Sequence, residues 1–167
     1  MNRRTAFTLA ELVTVIVLTT ILSAGALAGL RGLGRWRDAT AQRRLVADLR
    51  HARALAMLTG RRTMVVFDLA SQSWRLEQED QPAEGSFRGS TIIHPQSFQP
   101  WVVRLPDIAS SLRIASLTNV SGGRIGFAAD GLPIDAAGNR PRKSAVITLN
   151  NGRLVAVYAG SGFCEVK

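Results

Sequence analysis

The chain has 167 residues, a length that suits one domain better than two. With 46% hydrophobic and 20% charged residues it is not a disordered chain, and its fifteen Gly and six Pro follow no period, which excludes a collagen-like or low-complexity chain. The single cysteine, Cys164, excludes an intrachain disulfide scaffold. Formal charge is +9, and residues 31–62 hold nine Arg against only Asp38 and Asp48. Two readings of that excess stay open: a coding preference for Arg, or a basic stripe that meets phosphate, lipid headgroups or acidic partners.

Residues 1–6 (MNRRTA) are short and basic, and from Phe7 to Leu30 the single charge is Glu11. A helix over that stretch would be roughly 36 Å long, enough to cross a hydrocarbon core of ~30 Å. Three readings compete. A secretory signal peptide has an apolar stretch of about 7–15 residues, shorter than this one, although Ala24-Gly25-Ala26 has the form of a cleavage site. A plain membrane anchor explains the length but not the acid near its start. A carboxylate in lipid costs on the order of 3 kcal/mol, so such an acid points to function.

The third reading rests on Ala6-Phe7-Thr8-Leu9-Ala10-Glu11-Leu12. This string resembles the prepilin cleavage motif of type IV pilins and type II secretion pseudopilins. The resemblance implies that a prepilin peptidase cuts between Ala6 and Phe7 and N-methylates Phe7, with the apolar helix retained. Glu11 then becomes the fifth mature residue and pairs with the terminal amine of Phe7 on a neighbouring subunit, which sets the stagger of the filament. Ala6 departs from the family's usual Gly before the cut. The positive-inside rule, counting Arg31, Arg35, Arg37, Arg43 and Arg44 against Arg3 and Arg4, would put the body in the cytoplasm. The resemblance implies the reverse, and we follow it: a single-pass inner-membrane protein with a cytoplasmic N-terminus and the C-terminal domain outside.

Beyond Leu30 the helix is expected to continue to about residue 59. Gly32 and Gly34 allow a bend, and Gly60 followed by Arg61-Arg62 marks the end. Leu45, Leu49, Ala52 and Ala56 form one apolar stripe at helical spacing. His51 reads as a solvated helix position.

After Gly60 the period becomes strand-like. Thr63–Leu69 and Ser73–Gln78 flank a hairpin turn at Ala70-Ser71-Gln72. Residues 79–100 read as a long polar excursion, and Trp101–Leu105, Leu112–Leu117 and Arg124–Ala128 as short strands. Ser144–Leu149 and Arg153–Tyr158 form the clearest hairpin, around Asn150-Asn151-Gly152. The expected fold is α+β: a long N-terminal helix, transmembrane in its first half, packed on a mostly antiparallel β domain. Its segments are a leader (1–6), a transmembrane or filament-core helix (7–30), an amphipathic extension (31–59) and a β-rich globular domain (60–167). The run from Arg124 to Gly131, with Ile147-Thr148-Leu149 and Gly160/Gly162, resembles the GspH/FimT branch of the family.

No catalytic site is legible. There is no G-x-S-x-G, and Ser161 between Gly160 and Gly162 reads as a turn. His94 stands without a second ligand at metal spacing, and Asp130-Gly131 reads as a turn, so no metal or cofactor is expected. Cys164 alone cannot form the C-terminal disulfide loop common in major pilins. The resemblance therefore implies a non-enzymatic minor pseudopilin of a type II secretion system, assisting protein export. Its implied partners are other pseudopilins, the prepilin peptidase, an inner-membrane assembly platform and membrane lipid. The alternative is a FimT-like minor pilin that binds DNA for uptake. Phosphate binding needs clustered Arg or Lys, yet residues 154–167 carry one base, Lys167.

Overall fold

The computed structural model describes residues 8–80 and 87–167, with residues 24–33 described as helical backbone. The chain divides into two compact units, Met1–Arg37 and Asp38–Lys167. Helix α1 (Leu9–Thr59) contributes to both and is continuous as secondary structure across Gly32 and Gly34. Its end is as expected: Gly60 takes a left-handed backbone, φ 68°, and donates its N–H to the Ala56 carbonyl at 3.0 Å.

The transmembrane expectation for residues 7–30 is overturned, and with it the placement as a single-pass inner-membrane protein. Among the described residues no helix is long and apolar enough to cross a membrane. Among the described side chains the apolar stretch runs from Leu12 to Ser23 and rises about 18 Å, against the ~30 Å of a hydrocarbon core. Glu11 bounds that run on one side, and beyond Gly34 the helix carries Arg35, Arg37 and Asp38.

The second unit is built on two antiparallel sheets. The first has strand order β3-β2-β1-β6-β7, with β4 also paired to β2. Its strands are β1 (Thr63–Asp68), β2 (Ser73–Glu79), β3 (Gly89–Thr91), β4 (Val102–Arg104), β6 (Arg124–Phe127) and β7 (Pro133–Ile134). The second sheet has order β10-β9-β8-β5, from β5 (Ile114–Thr118), β8 (Ala145–Leu149), β9 (Leu154–Val157) and β10 (Cys164–Val166). A one-turn helix, α2 (Leu105–Ile108), follows β4 and takes the last residue of the strand expected at Trp101–Leu105. The excursion expected over residues 79–100 contains β3 and an isolated bridge between Ile93 and Pro100.

Burial explains the strand patterns. The stripe Leu45, Leu49, Ala52 and Ala56 is at most 1% exposed, and it packs in one core with Val65, Phe67, Trp74 and Leu76 of the first sheet and Ile147, Leu149, Val155 and Val157 of the second. Strand β1 reads as a continuous apolar run because it is covered on both faces. Val65 and Phe67 join the main core, while Met64 and Val66 enter a smaller cluster with Phe87 and Ile134. The β8–β9 hairpin closes as its Asn-Asn-Gly turn predicts: Gly152 has φ 81°, and its N–H reaches the Leu149 carbonyl at 3.0 Å.

Candidate functional site

Of the residues singled out for processing and assembly, Ala6 and Phe7 lie outside the described residues. Glu11 sits in the first turn of α1, where it completes a reciprocal cap. Thr8 donates its N–H and its hydroxyl to Glu11 Oε2, both at 2.9 Å, and accepts the Glu11 N–H on Oγ1 at 3.3 Å. Two otherwise orphaned helix-start donors are satisfied this way. The bonds from Thr8, its backbone N–H first, hold the Glu11 carboxyl below the usual carboxylate range. The carboxylate thus has an intrachain partner that the sequence reading missed. The Thr8-x-x-Glu11 spacing was the signal for it.

The helix that follows is apolar on all sides. Leu9, Leu12, Val13, Val15, Ile16, Val17, Leu18, Ile21 and Leu22 are each at least 50% exposed. Its hydroxyls do not interrupt that surface. Thr14 donates to the Ala10 carbonyl at 2.8 Å, Thr20 to Ile16 at 2.7 Å and Ser23 to Thr19 at 2.7 Å, and Thr19 bonds to Val15 and Ile16. Every one of these polar groups is satisfied by the helix's own backbone, so the segment can enter a dry contact without stranding a donor.

The arginine-rich stretch is used within the second unit. Arg50 donates to the Cys164 carbonyl at 2.8 Å and Arg53 to the Gly131 carbonyl at 3.0 Å, joining α1 to the start of β10 and to the turn at Gly131. Arg62 forms a buried pair with Glu79, whose side chain is 3% exposed, and that bond holds the guanidinium pKa above its usual value. Arg44 Nε lies 3.1 Å from Asp48 Oδ1, while Trp74 Nε1 donates to Asp48 Oδ2 at 2.8 Å. Burial pushes the Asp48 carboxyl above the ordinary Asp range, offset in part by the Trp74 bond and by Arg44.

Both histidines converge on Trp101. The His51 ring stacks on the indole with centroids 4.6 Å apart, and the His94 ring lies 4.3 Å from it. His51 is exposed, as expected, but it is also an aromatic contact for a loop far away in sequence. Among the described residues no three His, Cys, Asp or Glu side chains are grouped to hold a metal ion. Ser161 Oγ accepts the Phe163 N–H within an exposed turn. Asp130 accepts the Leu132 N–H at 3.0 Å and pairs with Arg140. The Leu132 bond first, with Arg140 adding to it, keeps that carboxyl below its ordinary value.

The glycines of the GspH/FimT-like pattern have a steric role. Gly131 (φ 76°) and Gly162 (φ 66°) meet beside α1: a Cβ on Gly162 would run into the Gly131 carbonyl, and one on Gly131 would strike Met57 Sδ. Cys164, two residues on, is fully buried, and burial pushes its thiol up to about 11, so it stays protonated and unreactive at neutral pH.

Comparison of the chain with family models, with curated proteins and with solved structures gave no match.

Proposed function

We propose that the chain is a structural subunit of a pilin-like filament, a minor pseudopilin of a type II secretion system that assists protein export. Its N-terminal helical segment would pack against those of neighbouring subunits. One observation carries this reading: nine large apolar side chains between Leu9 and Leu22 are half or more exposed on a helix whose hydroxyls are already satisfied. Apolar area of that extent gains roughly 25 cal/mol per Å² when it is covered, and helices of the same kind are a cover that needs no polar partners. The motif from Ala6 to Leu12 adds the chemistry of maturation, with cleavage before Phe7 freeing an amine one residue from the Thr8–Glu11 cap. On assembly, Glu11 would exchange or share its Thr8 partner for the Phe7 amine of a neighbour.

The DNA-uptake alternative draws less support. Arg44, Arg50, Arg53 and Arg62 are engaged by acids or carbonyls of their own unit, which removes much of the basic stripe as a phosphate-binding surface.

Intact-mass measurement of the purified protein should give a mature N-terminus at Phe7, carrying a methyl group. A terminus at Met1 or after Ala26 would rule out the pilin reading. Glu11→Ala and Glu11→Gln should both be cleaved normally yet co-purify poorly with the other filament subunits at matched expression. Undiminished co-purification of both would reduce Glu11 to a helix cap.

A further inference from the structure

Between the two sheets of the second unit lies a cleft of about 380 Å³. Leu117 of β5, Val157 of β9, Ile125 of β6 and Ile134 of β7 give it an apolar floor. Arg124 also lines it. This side chain is half-buried, and among the described residues no acid, carbonyl or ring engages its guanidinium. Arg53 and Arg62, also half-buried, each have a partner, and a partly desolvated cation without one costs free energy. The acid in the lining, Asp135, keeps its charge but is held to its own turn, where its Oδ1 accepts the Ala137 N–H at 2.9 Å and the Asn139 N–H at 2.8 Å rather than reaching Arg124. The chain between the lining residues Pro141 and Ala145 adds Arg142 and Lys143, both exposed and in no ion pair among the described residues. An apolar floor therefore lies beside a guanidinium that no described group engages, and Arg142 and Lys143 sit on the chain that borders the lining.

We propose that this cleft binds an extended acidic segment of a partner protein, seating one apolar side chain on the floor and a neighbouring carboxylate on Arg124. The charge alone would also suit a nucleic acid. The lining, however, holds no aromatic ring on which a base could stack, and a phosphate backbone would leave the apolar floor unused. This inference goes beyond the filament reading and does not rest on it, because the cleft lies wholly within the second unit.

The test is calorimetric titration of the whole 167-residue chain with a capped tetrapeptide, DLFE. The comparison ligands are KLFK, which reverses the charge, DSSE, which removes the apolar anchor, and a short oligothymidine. DLFE should bind, with KLFK and DSSE at least about tenfold weaker, and Arg124→Gln should weaken DLFE by about tenfold, the loss of one charge-assisted hydrogen bond. Lys143→Glu, on an exposed loop where folding is not at risk, should weaken it by roughly threefold, and raised salt should weaken it further. Absence of DLFE binding, equal binding of KLFK, or indifference to both substitutions would overturn the proposal. So would oligothymidine binding that depends on Arg124 where DLFE does not bind. None of these outcomes bears on cleavage at Phe7 or on co-purification, so failure here leaves the filament reading standing.

Discussion

Helix α1 places two kinds of apolar surface on one secondary-structure element. From Leu9 to Leu22 the apolar residues run around the whole helix, and each large one is at least half exposed. From Leu45 to Ala56 they keep to one stripe, and Leu45, Leu49, Ala52 and Ala56 are essentially buried. Both stretches are helical, so helix propensity does not separate them. The difference lies in what the rest of the chain supplies. The stripe matches the width of surface that two sheets can cover, whereas an all-round apolar helix needs neighbours on every side. The second stretch completes a core within the chain, and the first leaves its large apolar side chains exposed.

The sharpest test within the second unit removes the buried ion pair that ties the chain just after α1 to β2. Arg62→Ala should cost about 3–5 kcal/mol in denaturant unfolding, because it strands the buried Glu79 carboxylate. Replacing both partners by Met and Leu should recover most of that loss, since no charge is then left buried. Recovery failing in the double variant would mean that the pair contributes more than mutual compensation.

Next comes the contrast between matched truncations. Leu49→Ala, at a position with 0% exposure, should cost about 3 kcal/mol through lost burial and a residual cavity. Ile16→Ala, at 56% exposure, should change unfolding by less than about 0.5 kcal/mol while lowering co-purification with other subunits. Equal effects on unfolding would show that the first stretch is covered within the monomer after all. Gly162→Ala should fall between these two, at about 1–3 kcal/mol, because the new methyl meets the Gly131 carbonyl at a left-handed backbone position. Its melting temperature relative to Gly160→Ala, where no atom lies within 4 Å, isolates the clash.

The smallest expected effect is a pH dependence. Burial raises the Asp48 carboxyl above its unfolded value, so the folded state holds that proton more tightly. Its contribution to stability is full below the ordinary Asp value of ~3.9 and is lost as pH rises through the higher folded value. Wild type should therefore gain on Asp48→Asn as pH falls from 7 towards 4, measured by denaturant midpoints. A constant difference across that range would mean that Asp48 titrates alike in both states.

Much of the fold was legible in local patterns. The 3- and 4-residue spacing of Leu45, Leu49, Ala52 and Ala56, the alternation in Ser144–Leu149 and Arg153–Tyr158, and Gly60 after the last helical turn each depend on a few neighbouring residues, and each appears where expected. The Thr8–Glu11 cap was equally local and was missed because the same string carried a stronger resemblance. Strands β7 and β10 are two and three residues long, too short to show a period, and they exist because a neighbouring strand offers them an edge.

Composition and spacing by themselves determined the helix, its buried stripe and the principal hairpins, because those are set by interactions within a few residues of the backbone. The tertiary structure alone decided that His51 and His94 share Trp101, that Arg44, Arg50 and Arg53 serve an acid and carbonyls of their own unit, and that Arg124 has no partner among the described residues beside an apolar cleft. Among the described residues no helix is long and apolar enough to cross a membrane, which corrects the span expected from the apolar letters. Such pairings depend on where the chain returns after many residues, and no local period encodes that return.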